Sequence, residues 1–138
     1  MSGMRFVDTN ILLYAVSKEP SEAKKNTVAL ALLDHDDLVL SVHVLQEFYV
    51  QSTRPTRPDP LTHTQASNLI ESWLRFKVQD ITADLLLAAL STRQQWKISY
   101  WDAAIIEAAR AARCSEVLSE DLQHGMDFSG VNVRNPFL

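Results

Sequence analysis

Residues 5–16 read RFVDTNILLYAV: two apolar residues, a carboxylate at Asp8, the small polar pair Thr9 and Asn10, then six apolar residues. A signal peptide needs a cationic start, an unbroken apolar stretch and a small-residue cleavage site, and Asp8 interrupts the only candidate. Arg5 to Val7 reads instead as a short buried strand, and Ile11 to Val16 as a helical turn or more directly after it. An acid at a strand-to-helix junction raises two questions: whether the pattern recurs, and what balances the charge.

The pattern recurs. Glu19-Pro20-Ser21-Glu22 opens a helix through about Leu33, with Pro at a first helical position and acid in the first turn. Leu38 to Ser41 reads as a second strand, followed by a helix with apolar residues at 44, 45, 48 and 49. RPTRPDPL, from Arg54, is a loop because its prolines restrict their own backbone and that of their predecessors. Thr62 and Gln65 form a capping-box pattern ahead of a helix ending near Phe76. Val78 to Ile81 reads as a third strand and ADLLLAALSTRQQW as the next helix. Ser99 and Asp102 repeat the capping-box pattern before AAIIEAARAAR. Glu116 to Ser119 is a fourth strand, EDLQHG a turn or helix start, and Val131 to Val133 a fifth strand.

Short apolar strands alternating with helices predict an α/β fold: a short, mainly parallel central sheet covered by helices on both faces, in one domain spanning 1–138. In open parallel sheets the site lies outside the carboxyl ends of the strands. Asp8 follows the first strand and Asp121 the fourth, so these positions come first for function.

Composition narrows the chemistry. With 46% hydrophobic residues the chain supports an ordinary globular core, and no apolar run exceeds six residues, so a soluble protein without a membrane span is expected. One cysteine, Cys114, permits no internal disulfide and fits a reducing cytoplasm; its small or polar neighbours make it a packing residue or a helix end rather than a reactive thiol. A net charge of −4 argues against gripping nucleic acid by bulk electrostatics, yet it is compatible with a nucleic-acid enzyme whose acids are gathered around cations. Histidines 35, 43, 63 and 124 show no zinc-ligand spacing, and three glycines, at 3, 125 and 130, leave no phosphate loop or dinucleotide fingerprint.

Asp8 can cap the helix after it, Asp102 can close a capping box, Asp121 can be a turn residue, and Glu47 lies off the apolar stripe of its helix as a solvated glutamate would. Only a common destination beside the sheet would distinguish function from these local duties. Acids without partner His or Cys suit hard cations, Mg²⁺ or Mn²⁺.

Four blocks, VDTNILLYAV, LQEFYV, SYWDAAIIEAA and VLSEDLQHG with VNVRNPF, together resemble a PIN-domain ribonuclease of the VapC toxin type, over essentially the whole chain. The resemblance implies a PIN-like α/β/α sandwich whose metal-binding and catalytic acids are Asp8, Glu47, Asp102 and Asp121. Thr9, Asn10 and Ser119 match supporting polar positions. It further implies Mg²⁺- or Mn²⁺-dependent hydrolysis of RNA leaving a 5′-phosphate and a 3′-hydroxyl, a homodimer, and silencing by a cognate antitoxin protein.

For RNA contacts the residues offer Arg54 and Arg57 in the proline-rich loop, Arg75 with Lys77, and Trp96 with Lys97, against a bland reading of solvated charge and a core Trp. A haloacid-dehalogenase-type phosphatase would need an acid where Asn10 stands, and a receiver domain would need paired acids after the first strand. The remaining alternatives are a catalytically silent PIN-like binding module, which would typically have lost an acid, and a housekeeping RNA-processing nuclease.

Overall fold

The computed structural model of the protein describes residues 3–138. The chain alternates strand and helix as β1 (Met4–Val7), α1 (Thr9–Ala15), α2 (Ala23–Leu33), β2 (Leu38–Ser41), α3 (Val42–Ser52), α4 (His63–Trp73), β3 (Lys77–Gln79), α5 (Ala83–Trp96), α6 (Tyr100–Ala111) and β4 (Cys114–Leu118). It ends in a hairpin of β5 (Asp127–Phe128) and β6 (Val131–Arg134). The expected helix from Glu19 begins as a single 3-10 turn over Pro20–Glu22 before α2.

Side chains start most of these helices. Asp8, Ser41, Thr62, Thr82 and Ser99 each accept a hydrogen bond from a free amide of the first turn of α1, α3, α4, α5 and α6. At α4 the capping box is reciprocal: Gln65 N donates to Thr62 Oγ1 at 3.1 Å and Thr62 N to Gln65 Oε1 at 2.9 Å. Thr62→Ala removes one of these bonds and is expected to lower stability by about 1 kcal/mol in urea unfolding without changing the m-value. At α6 only half of the expected box forms. Asp102 N donates to Ser99 Oγ at 3.0 Å, but the Asp102 side chain, shorter than the Glu or Gln of a full box, does not reach back.

The six strands form one sheet in the order β3-β2-β1-β4-β6-β5, parallel except for the β5–β6 hairpin. Strand β5 escapes the sequence pattern because it has only two residues; the turn at Ser129 and Gly130, both at positive φ, was its available signal. Phe6 and Val7 point to opposite faces of β1 and are both fully buried, so both faces are covered. The helices fall into two packed groups, α1 to α4 and α5 with α6, and right-handed crossovers put them on opposite sides. Alanines 103, 104, 108 and 109 let α6 approach closely.

This order sets the place for a site. From β1 the chain steps outward through β2 to β3, then returns to the other side of β1 as β4. The topological switch therefore lies between β1 and β4, where the adjacent helices leave in opposite directions and open a crevice at the carboxyl ends. Asp8 N donates to Leu118 O across that junction at 3.0 Å.

Candidate metal centre

Asp8 is 8% exposed and sits between β1 and α1. Its Oδ1 accepts from Thr9 N at 2.7 Å, and its Oδ2 accepts from Ser119 Oγ at 2.7 Å. The capping role is thus real, and one oxygen carries it. Burial nevertheless pushes the Asp8 carboxyl up from 3.8 to about 6, against the Ser119 and Thr9 hydrogen bonds, and the charges of Asp121 and Glu47 push the same way. Among the described residues no Lys or Arg is paired with Asp8. Arg5, the nearest cation in sequence, is engaged at the other end of the strand with Asp37, through Nε at 2.8 Å and Nη2 at 2.9 Å.

Two side chains tie the strand ends together. Ser119 directly follows β4 and is fully buried; its hydroxyl also receives Asp121 N at 3.1 Å and Leu122 N at 3.3 Å. Asn10 spans the crevice, its Nδ2 donating to Asp121 Oδ2 at 3.2 Å and its Oδ1 accepting from Glu120 N at 3.2 Å. Asp121 is otherwise exposed.

Glu47, half-buried rather than solvated, lies on α3, whose first turn begins at the same sheet edge, and its charge is felt at Asp8. Asp102 occupies the first turn of α6 and makes no hydrogen bond to the other three acids. The start of α6 is held against that of α3 by His43 and Trp101, stacked at 5.3 Å between centroids. The structure thus brings Asp8, Asn10, Ser119 and Asp121 into one bonded cluster, with Glu47 in electrostatic range and Asp102 on an adjacent helix. As the side chains lie, among the described residues no three carboxylate, imidazole or thiol groups converge to ligate a single ion.

Thr9 is buried at the first position of α1, and its Oγ1 has no hydrogen-bond partner among the described residues; Glu120 Oε2 shares that status. Sequence reasoning missed Glu120. Its Oε1 accepts from Lys25 Nζ at 2.9 Å and Tyr14 Oη at 3.0 Å, locking the loop after β4 onto α1 and α2. Its place between Ser119 and Asp121 was visible, but Lys25, distant in sequence, was not.

Residues 5–125 match the family model of the PIN domain. The chain belongs to the PIN domain family. Among curated proteins none matches it in sequence. Among solved structures it is similar to a chain of a toxin–antitoxin complex from Klebsiella pneumoniae, with 20% identity over 96% of this chain and 97% of that one and a TM-score of 0.71. A chain of FitAB bound to a DNA fragment gives 20% identity over 98% and 96%, with a TM-score of 0.73. Mycobacterium tuberculosis VapC20, a toxin that cleaves the sarcin-ricin loop, gives 20% identity over 85% and 91%, with a TM-score of 0.62. At these identities the likeness is one of fold.

The remaining candidates in this PIN domain separate. Arg57 lines a cavity of about 240 Å³ together with Asn10, Tyr14, Ser17 and Lys18, and so adjoins the acidic edge, while Arg54 is exposed in the same loop. Arg75 is spent on structure: its guanidinium donates to Leu33 O at 2.8 Å and Ser72 O at 3.1 Å and covers the Phe76 ring. Lys77 reaches Ala112 O at 3.5 Å. Trp96 packs edge-on against Phe128 at 5.0 Å, and Lys97 ends α5 in the left-handed region at φ 57°. Cys114 is buried at the start of β4, where desolvation pushes its thiol up to about 11 and keeps it unreactive. Among the described residues no helix is long and apolar enough to cross a membrane.

Proposed function

We propose that this PIN domain is a metal-dependent endoribonuclease, with Asp8, Glu47, Asp102 and Asp121 as the acids that hold Mg²⁺ or Mn²⁺. The observation that carries the reading is Asp8: a buried carboxylate at the topological switch, raised to about 6, facing two further acids and no cation. A site that concentrates negative charge, with none of the four acids ion-paired among the described residues, fits an exogenous cation, and its all-oxygen donors fit a hard one. The orphan Thr9 hydroxyl beside Asp8 adds an unclaimed oxygen to the same neighbourhood.

When bound, such an ion activates water for attack on an RNA phosphodiester and offsets charge on the phosphate. The chain's own groups prepare the place. Thr9 N and Ser119 Oγ fix the Asp8 carboxylate, Asn10 steers Asp121, and Glu47 leans toward the start of α3 as helical side chains do. Asp102, unclaimed by its capping box, keeps its carboxylate available. No protein nucleophile is required, and the products are a 5′-phosphate and a 3′-hydroxyl.

Arg57 beside the Asn10 cavity supports a role for the proline-rich loop in holding RNA phosphates, with Arg54 alongside. Arg54→Ala with Arg57→Ala is expected to weaken RNA binding and to flatten its salt dependence, by about 0.7 in the log–log slope for each phosphate no longer neutralised; an unchanged slope removes the loop from the interface. Similar folds in the Klebsiella toxin–antitoxin complex and in the toxin VapC20 support a toxin role with a cognate antitoxin partner; a homodimeric state and a cytoplasmic location are part of the same proposal. Incubating the purified protein with single-stranded RNA tests the chemistry. Fragments carrying 5′-phosphates that form with Mn²⁺ or Mg²⁺ and not with EDTA support it; 2′,3′-cyclic ends or metal-independent cleavage overturn it.

A further inference from the structure

Trp101 is 63% exposed, whereas Trp73 is 4% exposed in the core and Trp96 is half-buried. An exposed Trp forgoes the large apolar burial that such a ring ordinarily contributes. Trp101 is nonetheless held firmly. Its ring stacks on His43 at 5.3 Å with 21° between planes, and Tyr100 meets it edge-on at 5.1 Å and 79°. One side of the indole is therefore occupied, and the exposure must come largely from the other.

Its position is equally specific. Helix α6 runs back against β4, so its first turn lies at the carboxyl edge of the sheet; α3 starts at the same edge from Ser41. Trp101 immediately precedes Asp102, and His43 stands one helical turn before Glu47. The aromatic pair thus joins the two helices that carry two of the acids. Successive helical residues project about 100° apart, which sets the indole beside the Asp102 carboxylate rather than over it. A cavity of about 70 Å³ lies next to the pair, lined by Ser41, His43, Ile81, Leu85 and Tyr100, well below the ~300 Å³ at which small-molecule pockets begin. A planar group meeting this surface is accommodated on the open indole face.

We infer that Trp101, backed by His43, is a stacking platform for a base of single-stranded RNA next to the phosphate being cleaved. The inference rests on the ribonuclease reading. A chain with net charge −4 gains little from bulk phosphate attraction, and stacking supplies sequence-tolerant affinity without positive charge. Preassembly by His43 and Tyr100 lowers the ordering cost of using the ring.

The test measures binding of a fluorescein-labelled mixed-sequence 12-mer RNA in EDTA, and cleavage of the same RNA in Mn²⁺, for the wild type, Trp101→Ala and Trp101→Phe. Trp101→Ala is expected to weaken binding by about 5- to 100-fold, to raise KM and to leave kcat nearly unchanged; Trp101→Phe restores much of the loss. Thermal unfolding of each variant checks that the exposed substitution leaves the fold intact. Cleavage by the wild type with equal binding and KM for Trp101→Ala overturns the platform and leaves the nuclease reading standing. A wild type that neither binds nor cleaves RNA overturns both. Conversion of a dimer to a monomer by Trp101→Ala, with RNA binding unaffected, assigns the ring to a contact between two copies of the chain instead.

Discussion

Asp8→Asn is expected to reduce metal-dependent RNA cleavage by about two to three orders of magnitude while making the metal-free protein more stable at pH 7. The loss of activity follows from removing the buried charge that the proposed ion needs. The gain in stability follows from the same charge. An ordinary aspartate loses its proton near 3.8, and Asp8 in the folded chain loses it at about 6 because burial disfavours the anion. Between those values the folded state holds a proton that the unfolded state has released, so stability falls as pH rises from about 4 to about 6 and then stays low. The span corresponds to about 3 kcal/mol. Asparagine carries no such charge penalty and its one oxygen still caps α1; its amide nitrogen can only donate, so the Ser119 hydroxyl loses its acceptor, which offsets part of the gain.

Urea unfolding in EDTA from pH 4 to pH 7 checks this. Wild-type stability should decline over that window relative to Asp8→Asn, and the variant should be the more stable protein at neutral pH. Adding Mn²⁺ at pH 7 should reverse the order by raising the wild-type midpoint alone, because an ion that binds only the folded state stabilises it by mass action. Equal stability at all pH values would mean that Asp8 is adequately solvated or paired.

Ser119→Ala is the second large effect. One buried hydroxyl donates to Asp8 Oδ2 and accepts from the amides of Asp121 and Leu122. Alanine leaves those groups without that partner, at a cost of about 2–4 kcal/mol. The Ser119 bond also holds the Asp8 carboxyl down against desolvation, so its removal moves that carboxyl further up from about 6. The acid limb of the pH–activity profile should shift to higher pH, which simple destabilisation would not produce. A profile that loses amplitude at every pH without moving would assign Ser119 a purely structural role.

Helix starts at Asp8, Thr62 and Ser99 were legible because they obey a local rule, a polar side chain meeting free amides, and β2 is recognisable as a buried strand from four residues; the caps at Ser41 and Thr82 follow the same rule but were not read. What the sequence could not carry was which strand ends are neighbours. The return of β4 beside β1 brings Ser119 onto Asp8 across 111 positions. Lys25 and Tyr14 likewise meet Glu120 only through that return. Arg75 and Lys77 read as free cations because their carbonyl partners lie on other elements. Trp101 drew no reading from the sequence, where it stands between Tyr100 and Asp102; its outward exposure and its stack on His43 are visible only in the fold.

The decisive experiment is cleavage of total RNA by the purified wild type and Asp8→Asn, each in Mn²⁺ and in EDTA. A metal-dependent nuclease centred on Asp8 yields fragments in one of the four reactions, wild type with Mn²⁺. Equal cleavage by wild type and variant, or cleavage that persists in EDTA, would contradict it.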